Sequence, residues 1–227
     1  MLIVQDNPKS PISEAYRTLR TNIQFSNFDD DMSTVLVTSS GPGEGKSTTA
    51  ANLALSMAET GKRILLIDCD LRKPSLHKKF NISNNKGLSN LLIGQHKFAD
   101  VAQRYNESLY ILTSGTIPPN PSEMLASKKM QSFLDEAKKT FDFIILDTPP
   151  VIAVTDAQLL STMVGGVLLV IAAGQAEIGA AQKAKELLEH VKANIIGVIL
   201  NKAEAGGGKN YGYYHYYYGE GPKGKKK

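Results

Sequence analysis

Eleven residues, "SSGPGEGKSTT" (39–49), limit what this chain can fold into more than any other stretch. They follow a short apolar run, "STVLVTSS" (33–40), and open a helical pattern, "KSTTAANLALSMAET" (46–60). A strand, a glycine-rich turn and a helix in that order make a phosphate cradle. The glycines let backbone N–H groups curl around phosphate oxygens, and the helix N-terminus adds its partial positive charge. Gly43, Glu44, Gly45, Lys46, Ser47 and Thr48 are the nucleotide-binding candidates. Lys46 supplies charge to the β- and γ-phosphates, and Ser47 offers a hydroxyl to Mg²⁺. In the general pattern G-x-x-x-x-G-K-[ST], Ser40 takes the place of the first glycine.

The rest of the chain alternates in the same way. Strand patterns occur at "RILLIDCD" (63–70), "LYILTSG" (109–115), "FDFIILDTPP" (141–150), "VLLVIAAG" (167–174) and "NIIGVILNK" (194–202). Helical patterns occur at 46–60, where Gly61 is the stop, at 122–140 with Ser122 as N-cap, and at 179–191. Short apolar strands separated by helices predict a mostly parallel sheet covered on both faces, an α/β architecture with the P-loop NTPase fold. With 227 residues and 42 % hydrophobic content, the chain can build one sizeable core. It shows no secretory leader pattern and no apolar run of bilayer-spanning length. The one cysteine, Cys69, excludes an internal disulfide and a Cys-rich metal site. These features point to the cytoplasm.

A phosphate cradle needs acids to hold its metal. Asp68 and Asp70 close one strand, followed by Arg72, and Asp147 closes another. In a parallel sheet those ends share an edge with the cradle, the edge where open α/β sheets bind ligands. Asp68, Asp70 and Asp147 are therefore the expected Mg²⁺ contacts with Ser47, and with Lys46 the expected catalytic set. Cys69, between two of these acids, should point into the core. Asn201, closing the last strand, is a candidate contact to adenine.

Near the N-terminus, "SPISEAYRTLRTNIQFS" (10–26) reads as a helix with Ser10 as cap and Pro11 in the first turn. Ile12, Tyr16, Leu19 and Ile23 fall on one face, and Glu14, Arg17 and Arg20 form a stripe on the other. That stripe is either a solvated face or a subunit contact. The opposite end changes composition abruptly. Residues 1–205 form the globular part, and 206–227 read as a flexible tail of Gly, Tyr and Lys. The tail carries five lysines against one glutamate, so it holds the whole net charge of +4. The basic balance thus gives the fold itself no reason to bind nucleic acid. Six of the nine tyrosines lie in this tail: Tyr211, Tyr213, Tyr214, Tyr216, Tyr217 and Tyr218.

Taken in order, "EAYRTLR", "SGPGEGKST", "LLIDCDLRKP", "GTIPPNPSEML", "FIILDTPP" and the tyrosine cluster resemble the bacterial tyrosine kinases of capsule and exopolysaccharide operons, the BY-kinase family. The resemblance covers almost the entire chain. It implies an ATP- and Mg²⁺-dependent protein-tyrosine kinase in which Asp68 is the base and Asp70 and Asp147 complete the acidic set. It implies a ring-shaped homo-oligomer built through Glu14, Arg17 and Arg20, with the tyrosines of one subunit phosphorylated by its neighbour. It also implies a separate transmembrane modulator that brings the kinase to the inner face of the cell membrane, and protein substrates in polysaccharide synthesis. The rival reading is a ParA- or MinD-like ATPase switch. That group carries an extra lysine early in its cradle, where this chain has Gly41.

Overall fold

The computed structural model describes residues 2–25 and 32–203. The six tail tyrosines and the boundary expected at residue 205 lie outside the described residues. In chain order the elements are α1 (Ile3–Asp6), α2 (Pro11–Phe25), β1 (Thr34–Ser39), α3 (Lys46–Ala58), β2 (Ile64–Asp68), α4 (Leu76–Phe80), α5 (Leu88–Leu92) and α6 (Phe98–Val101). They continue with β3 (Ala102–Arg104), β4 (Leu109–Leu112), α7 (Pro121–Leu125), α8 (Lys128–Lys138), β5 (Phe143–Asp147), α9 (Asp156–Ser161), β6 (Gly166–Ala172), α10 (Ile178–His190) and β7 (Ile195–Asn201).

The strands form one sheet in the order β3-β4-β2-β5-β1-β6-β7. Every pairing is parallel except β3 with β4. Because side chains alternate along a strand, each central strand feeds two cores. Leu65, Ile67, Ile144 and Leu146 point to the layer of α5, α8, α9 and α10. Ile64, Leu66, Ile145, Val35 and Val37 point to the layer of α1, α3 and α4. The parallel frame sets β1, β2 and β5 side by side, with Asp68 in register with Asp147. The expected architecture is therefore the observed one.

Two local expectations need correction. The segment 122–140 is not one helix capped by Ser122. Ser127 adopts an extended backbone (φ −72°, ψ 153°) and breaks it into α7 and α8. Ser127 then caps α8, its Oγ accepting from Met130 N at 3.2 Å. Ser122 lies inside α7, and its hydroxyl serves Asp156 instead. In α2, Ser10 caps as expected, its Oγ accepting from Ser13 N at 3.1 Å. Ile12, however, is 58 % exposed. Ser13 takes the inward position, donating to Asn7 O at 2.7 Å and Ile3 O at 3.1 Å, and this turns Ile12 to the surface. Among the described residues no helix is long and apolar enough to cross a membrane.

Candidate active site

The cradle is built as the spacing requires. Gly43 (φ +78°) and Gly45 (φ +98°) occupy left-handed backbone that side chains resist. A Cβ on Gly45 would stand 2.0 Å from Nδ2 of Asn201. Ser40 accounts for its own departure from the pattern. Its Oγ donates to Glu44 Oε1 at 2.6 Å and its N–H to Oε2 at 3.0 Å, so the pair closes the loop from inside. Glu44 is thus a buried brace, and only its backbone is left to face a phosphate. Asn201 likewise works on the loop, its Nδ2 donating to Glu44 O at 2.8 Å. Lys202 Nζ donates to Gly43 O at 2.8 Å and to Gln175 Oε1 at 2.6 Å.

Lys46 reaches into the acids. Its Nζ is 3.2 Å from Asp70 Oδ2, 3.7 Å from Asp147 Oδ1 and 3.2 Å from Ser47 Oγ. Burial opposes its charge, but Asp147, Asp70 and Asp68 outweigh that and raise its pKa. The three acids differ in employment. Asp68 is fully buried and accepts from Asp70 N at 3.2 Å, Ser75 N at 3.0 Å and Leu76 N at 3.0 Å. Burial, with the neighbouring charge of Asp147, pushes its carboxyl up to about 7 against the pull of those amides. Asp70 accepts from Lys73 N at 3.0 Å as well as from Lys46.

Asp147 is different. It is fully buried, and neither carboxylate oxygen has a hydrogen-bond partner. Burial raises its pKa, while Lys46, and Ser47 short of hydrogen-bond geometry, pull it down. A buried acid left without donors is costly in a folded chain. Two orphaned oxygens beside a Ser47 hydroxyl suit a hydrated divalent cation, and Mg²⁺ characteristically keeps several waters. Among the described residues no three His, Cys, Asp or Glu side chains converge as a metal cage. Of the three expected contacts, Asp68 and Asp70 already accept hydrogen bonds, whereas Asp147 has only the Lys46 ion pair at 3.7 Å.

Cys69 is fully buried in the core, as expected, with burial driving its thiol well above the usual range. Arg72 has a partner that sequence reasoning missed. Its Nε lies 3.0 Å from Asp156 Oδ2, and its Nη2 donates to Ser122 Oγ at 2.8 Å. Ser122 in turn donates to Asp156 Oδ1 at 2.6 Å, which ties the loop after β2 to α7 and α9. Lys79 was also missed, and it donates to Thr48 Oγ1 at 2.8 Å. Nothing in "LHKKF" distinguishes it from a surface lysine.

The stripe on α2 is engaged within its own chain. Arg17 Nη2 meets Glu59 Oε1 at 2.9 Å and Arg17 Nη1 meets Glu14 Oε2 at 3.2 Å. Arg20 Nη1 meets Glu59 Oε2 at 3.4 Å and also bonds to Ser56 O. Glu59 was not expected to take part.

The AAA domain family model matches residues 32–199. The tyrosine-protein kinase YwqD of Bacillus subtilis is 48 % identical over 214 residues, spanning 94 % of this chain and 90 % of that protein. The kinase domain of the Escherichia coli tyrosine kinase ETK superposes with a TM-score of 0.85 at 35 % identity, covering 88 % of this chain and 79 % of that one. The septum site-determining protein MinD of Pyrococcus horikoshii, complexed with Mg-ADP, shares the fold at TM-score 0.63 and 24 % identity, over 75 % of this chain and 72 % of its own. Likeness to YwqD at nearly half of all positions, running through nine-tenths of both proteins, goes well beyond a shared fold. The chain belongs to the family of bacterial tyrosine-protein kinases.

Proposed function

We propose that this chain transfers the γ-phosphoryl group of ATP to tyrosine, with Mg²⁺ held at Asp147 and Ser47. The observation that carries the reading is Asp147: a fully buried carboxylate, orphaned on both oxygens, 3.7 Å from the cradle lysine. Asp147 and Ser47 would hold Mg²⁺ there, and the ion would supply positive charge against the negative charge of the phosphates. Gly43, Gly45 and Thr48 line the phosphates, with Lys46 as their cation. Asp68 is the proton acceptor for the tyrosyl hydroxyl. Its carboxyl at about 7 is matched to a neutral working pH. Asp70 holds Lys46 in place until the nucleotide takes it over.

The acceptor is the tyrosine cluster, Tyr211 to Tyr218, on the segment that follows the globular part. Phosphorylation occurs between subunits of a homo-oligomer assembled through Glu14, Arg17 and Arg20. A transmembrane modulator recruits the kinase to the inner face of the cell membrane, where it acts on proteins of capsule and exopolysaccharide synthesis. The resemblance of "EAYRTLR" and of the tail to this family's motifs supports that part of the reading. A MinD-like switch is the weaker reading, since Gly41 stands where such proteins carry a lysine.

The test is incubation with ATP and Mg²⁺, with and without the cytoplasmic fragment of the modulator, followed by phosphotyrosine detection and mass spectrometry of the tail. Wild-type protein should gain tail phosphotyrosine and the Lys46→Met variant should not. Nucleotide hydrolysis with no phosphotyrosine under either condition would overturn the kinase reading in favour of the switch.

A further inference from the structure

Lys79 is a half-buried cation, and among the described residues no carboxylate lies within ion-pair distance of it. Lys46 presents the opposite case, held by both Asp70 and Asp147. Among the described residues the one side-chain hydrogen-bond partner of Lys79 is the Thr48 hydroxyl, on the residue directly after the Mg²⁺ candidate Ser47. A hydroxyl that accepts from an ammonium keeps its own proton free to donate, and the bond polarises that proton toward an anion.

The carrier of Lys79 is firmly fixed. Asp68 holds the first turn of α4 through Ser75 N and Leu76 N. At the other end Phe80 packs edge-on against Tyr105 with centroids 4.9 Å apart. Asn81 closes α4 in a left-handed turn (φ 52°). A long flexible side chain is thereby aimed at the cradle from a short rigid platform. Burial lowers the pKa of Lys79, and the charges of Asp147 and Lys46 both reach it, so it shares the field of the site.

We infer that Lys79 is a second phosphate-binding cation of the nucleotide site, acting on the phosphate chain directly and through the Thr48 hydroxyl. This deepens the nucleotide reading above and rests on it. Lys46 is ion-paired to acids before nucleotide arrives, whereas Lys79, which no carboxylate among the described residues approaches to ion-pair distance, brings a charge that an anionic ligand completes. A surface lysine that merely lies along the fold would contribute nothing to affinity.

The test is a fluorescence titration with Mg²⁺ and N-methylanthraniloyl-ADP across a salt series, on the wild-type chain and on Lys79→Met, Lys79→Gln, Lys79→Arg and Lys46→Met. Losing one charge-assisted contact should weaken binding by about tenfold or more. Lys79→Met and Lys79→Gln should show that loss with a shallower salt dependence. Lys79→Arg should stay within about threefold of wild type, and all unliganded melting temperatures should match. Wild-type affinity and salt slope in Lys79→Met would overturn the inference. So would melting temperatures depressed in both neutral variants with no rescue of binding by arginine, since Lys79 would then be structural. If Lys46→Met also binds like wild type, the nucleotide reading itself fails, and the two failures remain distinct.

Discussion

Asp147→Asn should make the protein more stable while removing its activity. The carboxylate is fully buried with neither oxygen hydrogen-bonded, and its ion-pair neighbour Lys46, 3.7 Å away, is shared with Asp70, so its charge is poorly compensated. Asparagine keeps the shape and removes the charge. Lys46 loses its 3.7 Å neighbour but keeps Asp70 at 3.2 Å. Relieving a buried, unsatisfied charged group in favour of a neutral one is worth about 2 kcal/mol. For a domain of this size that corresponds to a melting temperature raised by about 4–8 °C without nucleotide. The pH dependence follows from the direction of the shift. Burial raises the native pKa of Asp147 above its ordinary value, so across that interval the native state binds more protons than the unfolded one. Wild-type stability from this group is then full below the ordinary carboxylate pKa and is lost as pH rises through the raised native value. The variant has no such loss, so its advantage should be smallest below the ordinary carboxylate range and grow as pH rises through the raised native value. Saturating Mg-ADP should invert the order. At a ligand concentration of about one hundred times Kd the wild type gains about 2.7 kcal/mol, and the variant gains little. Scanning calorimetry across pH, with and without Mg-ADP, measures all three effects. A variant no more stable than wild type at alkaline pH, or one whose advantage grows on acidification, would refute the reasoning.

Gly45→Ala combines a strained backbone at φ +98° with a Cβ 2.0 Å from Asn201 Nδ2, so it should cost about 2 kcal/mol in thermal melting and weaken nucleotide binding. Adding Asn201→Ala should restore little, because the backbone strain remains. Glu59→Ala frees Arg17 and Arg20 from their shared partner. It should change stability by less than about 1 kcal/mol and shift sedimentation toward larger assemblies, whereas Arg17→Ala with Arg20→Ala should shift it toward monomer. Cys69, fully buried with its thiol pushed well above the usual range, should resist thiol reagents in native protein and react at once in denaturant.

The sheet was legible because each of its core strands is a short apolar run bounded by turn residues, and a parallel sheet buried on both faces demands that pattern. The cradle was legible because Gly43, Gly45, Lys46 and Ser47 lie within five residues of one another. What escaped was held by tertiary contacts. Helices α4, α5 and α6 have only four or five residues, too few to show a periodicity. Strand β3 is a three-residue antiparallel edge. The break at Ser127 sits inside a pattern that stays amphipathic across it. Glu59, Lys79 and Asp156 are polar residues whose partners lie 31 to 84 positions away, and no local spacing announces such a pair. Asp68 and Asp147 were found as acids, but only the packing separated one that is fully bonded to backbone amides from one left open.

Asn201 and Lys202 fasten the end of β7 to the carbonyls of Glu44 and Gly43. The tyrosine-bearing segment follows shortly after these residues in the sequence. The root of that segment and the phosphate loop are therefore a single mechanical joint. Linkage between two ligands of one joint is reciprocal. If nucleotide binding and a ligand on the segment beyond Lys202 are coupled through these bonds, each should change the other's affinity by the same factor. The phosphate loop and the end of β7 are thus tied by two hydrogen bonds, one to each of two neighbouring carbonyls of the loop.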